Sequence, residues 1–112
     1  MHHLYLRFLK IANAIQPIKN SSDIDSTALL LLNAVAMQHL DKQPMTVTQA
    51  MALHHIASPA TIHRKLNELL EAGLVEQVFE GKNRRTKFLV PTSTAYAYFD
   101  KMSDAMLHAT KI

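Results

Sequence analysis

The sequence predicts a mainly α protein with a small β-hairpin, an α+β chain of one domain spanning residues 1–112. Three observations predict it. Apolar residues recur at three- and four-residue spacing in several stretches, the signature of amphipathic helices. Two runs with strand propensity, "LVEQVFE" and "TKFLVP", are joined by the turn-forming "GKNRR". Only two glycines and four prolines punctuate 112 residues, so the breaks between elements are few and easily placed. At 48% hydrophobic, the chain can bury one core without disulfides or metals.

Each element has its own local reason. Leu4, Phe8, Ile11, Ala12 and Ile15 fall on one helical face, so a first helix runs over residues 4–16 and Pro17 ends it. "IKNSSDID" reads as a polar loop. Asp25 or Ser26 caps a second helix that reaches about Leu40, and its leucines lie nearly all round, which predicts a central buried helix. Pro44 follows its end. "MTVT" reads as a short β-like entry, after which Thr48 caps a short helix, "QAMALHH". "IAS" is a turn. Ser58 and Pro59 open the next helix as N-cap and first helical residue, and Gly73 stands where a left-handed C-terminal cap is needed. Strands over 74–80 and 86–91 flank a tip at 81–85. Thr92 or Ser93 starts a last helix with Phe99, Met102, Met106 and Ala109 on one stripe.

The helix over 58–72 has an informative outer face. With Ile62, Leu66, Leu69 and Leu70 forming the buried stripe, Arg64 lies about 200° round from Ile62, nearly opposite. Asn67 and Ala60 flank it, Thr61 lies further round, and His63 sits at the edge. Arg64 can offer a two-pronged donor to guanine O6 and N7, and Asn67 can pair with adenine N6 and N7. Ser58, Ala60 and Thr61 are small enough to allow close backbone approach, and the helix start presents unpaired N–H groups to a phosphate. Glu68 and Glu71 come later, where such a helix leaves the groove.

Net charge is +3 and pI about 9.3, a mild bias toward polyanions. Its distribution is more telling: "KNRRTK" over 82–87 holds four basic residues and no acid. Lys82, Asn83, Arg84, Arg85 and Lys87 therefore form a second candidate set, placed to meet phosphates or a narrow minor groove.

A short helix, a tight turn, a second helix and a basic hairpin follow one another between residues 44 and 92. Residues 46–95 resemble the multiple-antibiotic-resistance-regulator (MarR) type of winged helix-turn-helix transcription factors. The resemblance rests on "TVTQAMALHHIASPATIHRKLNELLEAGLVEQ", on "GKNRR" and on "LVPTSTA" leading into a final helix. It implies a sequence-specific, double-stranded DNA-binding regulator whose recognition helix, 58–72, enters the major groove, with reading residues on Ser58, Ala60, Thr61, His63 and Arg64. The wing would lie along the minor groove. Where the family usually carries an acidic residue before its wing arginines, this sequence has Asn83. The resemblance further implies a two-fold homodimer clamped by the first and last helices (within 4–40 and 93–111), and a pseudo-palindromic operator with reading helices about 34 Å apart. The excess apolar residues Tyr5, Leu9, Tyr98 and Leu107 on those helices agree with a partner surface. The family is usually longer, with an extra helix near one terminus. A pocket for a small-molecule effector is implied between the dimer helices and the winged domain; no residue signals the ligand.

Other classes find less support. Without cysteine there is no disulfide, thiolate metal site or thiol redox sensor. Seven histidines invite a metal, but adjacent His54 and His55 point apart on a helix, and His39 and His63 lack a histidine or carboxylate one turn away, so no metal or cofactor is expected. There is no nucleophile–base spacing, phosphate-cradling glycine loop or paired carboxylates, so the chain is not read as an enzyme. "ALLLLNAVAM" is too short to span a bilayer and the first residues are no signal peptide, which predicts a cytoplasmic protein with no membrane role. The competing reading is a winged-helix replication, plasmid-partition or protein-interaction module; the basic hairpin favours nucleic acid over protein contact.

Overall fold

The computed structural model describes residues 1–15 and 24–111. Among these residues, five helices and a two-stranded hairpin follow in the order α1 (His2–Ala12), α2 (Ser26–Leu40), α3 (Val47–Met51), α4 (Pro59–Glu71), β1 (Val75–Phe79), β2 (Lys87–Pro91) and α5 (Ser93–Ala109). This is the predicted α+β class, in the helix–helix–hairpin order of a winged helix.

The core gathers where α2, α4 and the hairpin meet. Leu31, Leu32 and Val35 of α2 pack with Ile62, Leu66 and Leu69 of α4, Leu74 and Val75 at the start of β1, and Leu89 of β2. Each of these large side chains is fully buried, or nearly so, and such burial contributes about 1.5–3 kcal/mol apiece. The hairpin is antiparallel, with Val75 opposite Pro91, Gln77 opposite Leu89 and Phe79 opposite Lys87. On this side Val75, Leu89 and Pro91 are buried near α4 and α5, whereas Gln77, Phe79 and Lys87 are exposed, the last two toward the tip.

Helix boundaries follow local chemistry. Asp25 caps α2, Ser58 caps α4 with Pro59 at its first position, and Thr92 caps α5. The end of α4 is closed by a double bond pattern: Gly73 N–H donates to Leu70 O at 3.1 Å and Leu74 N–H to Leu69 O at 3.0 Å, with Gly73 at φ +73°. The Thr92 hydroxyl donates to Gly73 O at 2.6 Å while its oxygen accepts from Ala95 N–H at 3.2 Å. One side chain therefore ties the end of α4 to the start of α5.

Several expectations are corrected. The first helix ends at Ala12, with Asn13 as its cap and short turn bonds carrying the chain to Ile15. Pro17 and nearly all of "IKNSSDID" lie outside the described residues. α2 is not buried all round: Ala28, Leu31, Leu32 and Val35 face the core, whereas Leu30, Met37 and Leu40 on the other side are exposed. "MTVT" forms no strand. Leu89 N–H donates to Met45 O at 2.8 Å, one bond on the outer edge of β2, before the chain turns into α3. The cap there is Thr46, not Thr48, because Thr46 and Gln49 satisfy each other's backbone N–H groups in a reciprocal box. α3 stops at Met51, so His54 and His55 lie in a turn rather than on a helix. On α5 the buried positions are Ala95, Tyr98, Ala105 and Ala109; Met106 is exposed, and Tyr98 faces inward instead of out.

α1 buries no residue completely and packs on α5, where the Arg7 guanidinium donates to the Lys111 carbonyl. Among the described residues no helix is long and apolar enough to cross a membrane.

Candidate nucleic-acid interface

α4 is rolled so that its apolar stripe lies in the core and its opposite face is open. Ser58, Ala60, His63, Arg64 and Asn67 are exposed and Thr61 is half-buried, as the helical spacing predicts. The first turn is braced internally: the Ser58 hydroxyl donates to Thr61 Oγ1 at 3.1 Å and accepts from Thr61 N–H at 3.3 Å. Ser58 is therefore first a cap. One turn on, Asn67 Nδ2 lies 3.5 Å from His63 Nδ1, so these two side chains are paired on the open face, and Arg64 stands beside them with no ion-pair partner among the described residues.

From Ser58 to Asn67 no acid occurs. The next acid, Glu68, does not compete for the open face, because it turns to Lys65. The Lys65 ammonium lies 2.8 Å from Asp25 Oδ2 and 3.3 Å from Glu68 Oε2, with a longer hydrogen bond of 3.5 Å to Glu68 Oε1. Glu68 Oε2 is buried and accepts no hydrogen bond from the described residues, so the neighbouring ammonium is what offsets its charge. Asp25 is held below the usual carboxylate range by the Lys65 hydrogen bond first and the Ala28 N–H next, and Lys65 is raised chiefly by its bond to Asp25. Sequence reasoning missed this cluster. The available signal was the angle of Lys65, at the rim of the buried stripe on the side away from His63.

The wing is shorter than predicted, with strands 75–79 and 87–91 and a tip in which every residue from Gly81 to Arg85 is exposed. Gly81 adopts φ +58°, which a side chain would disfavour. Asn83 shapes the tip: its Oδ1 accepts from Arg85 N–H at 2.9 Å and from Thr86 N–H at 3.3 Å. Its amide oxygen is thus turned to the loop's own backbone. Phe79 was also missed by sequence reasoning. The Arg84 guanidinium stands 5.4 Å and the Lys87 ammonium 5.7 Å from its ring centroid, within reach of a cation–π attraction. Arg84, Arg85 and Lys87 line, with Thr46 and Thr48, a groove of about 510 Å³ between the wing and the start of α3. Lys82 is exposed at the tip. The candidate residues therefore form two clusters, the open face of α4 and the wing.

Among the described residues no three His, Asp or Glu side chains gather as a metal site. An apolar cavity of about 710 Å³ opens between α2, α5 and the turn after α3, lined by Leu30, Met37, Leu40 and Phe99 with Asn33 and His55 as polar groups.

Solved structures share this fold. A MarR-like transcriptional regulator from Thermotoga maritima superposes with a TM-score of 0.64 at 18% identity, covering 95% of this chain and 72% of its own. A second transcriptional regulator from Thermotoga maritima gives 0.62 at 14%, covering 94% and 66%. NadR, solved in complex with 4-hydroxyphenylacetate, gives 0.59 at 15%, covering 96% and 67%. The chain thus spans between 66% and 72% of the length of these regulators. No family model matches the chain, and no curated protein matches it. The fold is the winged helix of MarR-like regulators.

Proposed function

We propose that this chain is a cytoplasmic, sequence-specific, double-stranded DNA-binding transcriptional regulator that acts as a homodimer, and that it is not an enzyme. α4 lies in the major groove, with Arg64 on a guanine edge and His63 and Asn67 beside it, while Ser58, Ala60 and Thr61 bring the helix start close to a phosphate. Lys82, Arg84, Arg85 and Lys87 meet the minor groove or flanking phosphates, and Asn83 sets the tip that presents them. The observation that carries the reading is the open face of α4, free of acid from Ser58 to Asn67, in one winged-helix frame with a hairpin of four exposed cations.

Exposed apolar side chains on α1 and the end of α5 (Tyr5, Leu6, Met106 and Leu107) support a second copy as partner. The apolar cavity beside α2 supports a small-molecule effector, and NadR, with its bound 4-hydroxyphenylacetate, is a precedent for a ligand on this fold.

Arg64→Ala tests the reading. On a duplex selected by the wild type it costs about 1–3 kcal/mol and relaxes preference at one base position, with little change on random DNA. Equal losses on both duplexes, read by fluorescence anisotropy at one salt concentration, contradict a base-reading role.

A further inference from the structure

We infer that Lys65, held between Asp25 and Glu68, is a positioning residue that sets the roll of α4 against the start of α2, and so aims Arg64, His63 and Asn67. The inference rests on the DNA-reading role proposed for α4.

The packing between α2 and α4 is aliphatic, made by Leu31, Leu32 and Val35 against Ile62, Leu66 and Leu69. Such contact is strong but has little directionality. Among the described residues the one polar side-chain tie between these two helices is Lys65 to Asp25. The anchor is tied through both of its oxygens. Asp25 Oδ1 accepts from Ala28 N–H at 2.9 Å, capping α2, while Oδ2 takes Lys65 at 2.8 Å. Lys65 is held too: its side chain is 12% exposed and Glu68 flanks it one turn on, whereas Asp25 is 50% exposed. A pair with one solvated partner adds little stability, so its consequence is geometric. Lys65 neighbours Arg64 in the chain, so a roll of α4 that breaks the pair turns Arg64 with it. A roll of about 15° moves an atom about 6 Å from the helix axis by about 1.5 Å. Productive recognition tolerates about 0.5 Å.

The test compares wild type, Lys65→Met, Lys65→Arg, Asp25→Asn and the Asp25→Asn/Lys65→Met double variant. Asparagine caps a helix as well as aspartate, so Asp25→Asn removes the charge and leaves α2 capped. The readout is the ratio of affinities for a selected duplex and a random one, at a temperature where circular dichroism shows every variant folded. Lys65→Met and Asp25→Asn each lower the ratio by about threefold to thirtyfold, and the double variant is no lower than Lys65→Met. Lys65→Arg keeps most of it. An unchanged ratio in folded variants overturns the inference; if Lys65→Met does not fold, Asp25→Asn decides alone. Equal weakening on both duplexes with a shallower salt slope for Lys65→Met also overturns it, making Lys65 a phosphate contact. A wild type that selects no duplex overturns the DNA reading itself, a different failure.

Discussion

The wing offers the most quantitative prediction. Four cations on its tip and second strand are exposed or drawn over Phe79, and no acid lies among them. If three per protomer meet phosphates, a dimer neutralises about six, and log K falls with log salt at a slope of about −5.4. Between 50 and 200 mM salt, affinity then drops about 10³-fold. Arg84→Ala with Arg85→Ala removes about four of the six contacts, leaving a slope near −1.8 and a drop of about tenfold over the same range. Neither residue is buried, so folding should be unaffected. Anisotropy titrations of a fixed duplex in stepped salt measure the slope directly. A slope unchanged by the double variant, or a loss confined to the selected duplex, refutes a phosphate-contacting wing.

Three further outcomes follow from the structure. Gly73→Ala meets no atom within 4 Å, so its cost is purely the left-handed backbone, about 1–2 kcal/mol by thermal or urea unfolding; a neutral substitution would contradict the φ of +73°. The depressed Asp25 carboxyl contributes stability that is complete above about pH 4 and lost as pH falls through its folded value. The raised Lys65 contributes below about pH 10.4 and loses it above; because its bond to Asp25 is the chief cause, Asp25→Asn should flatten the alkaline limb of the stability profile as well as the acid one. Sedimentation at micromolar concentration should give a dimer, and Tyr5→Glu with Leu107→Glu, both exposed, should give a folded monomer; a wild-type monomer with and without DNA removes the palindromic operator from the account.

What could be read from the sequence was mostly local. Ser58-Pro59 and Gly73 mark both ends of α4 because their caps act on residues within one turn. The buried stripe of α4 and the exposure of Arg64 and Asn67 follow from periodicity alone. The Thr46–Gln49 box was equally local, but Thr48 offered a competing cap two residues on. Long-range facts were not legible. α2 is apolar all round, and periodicity cannot tell which side a neighbour covers; the fold leaves Leu30, Met37 and Leu40 open. Lys65 meets Asp25 only because α2 and α4 pack together, and Arg84 and Lys87 meet Phe79 only through the turn and register of the hairpin.

The central claim is that α4 reads a DNA sequence. Selection of bound duplexes from a random pool tests it most directly. An enriched inverted repeat is expected, its half-sites about one helical turn apart, in which at least one guanine loses its enrichment when Arg64→Ala protein is used. A pool that stays random after repeated selection, although the protein binds it, would rule out base reading by α4.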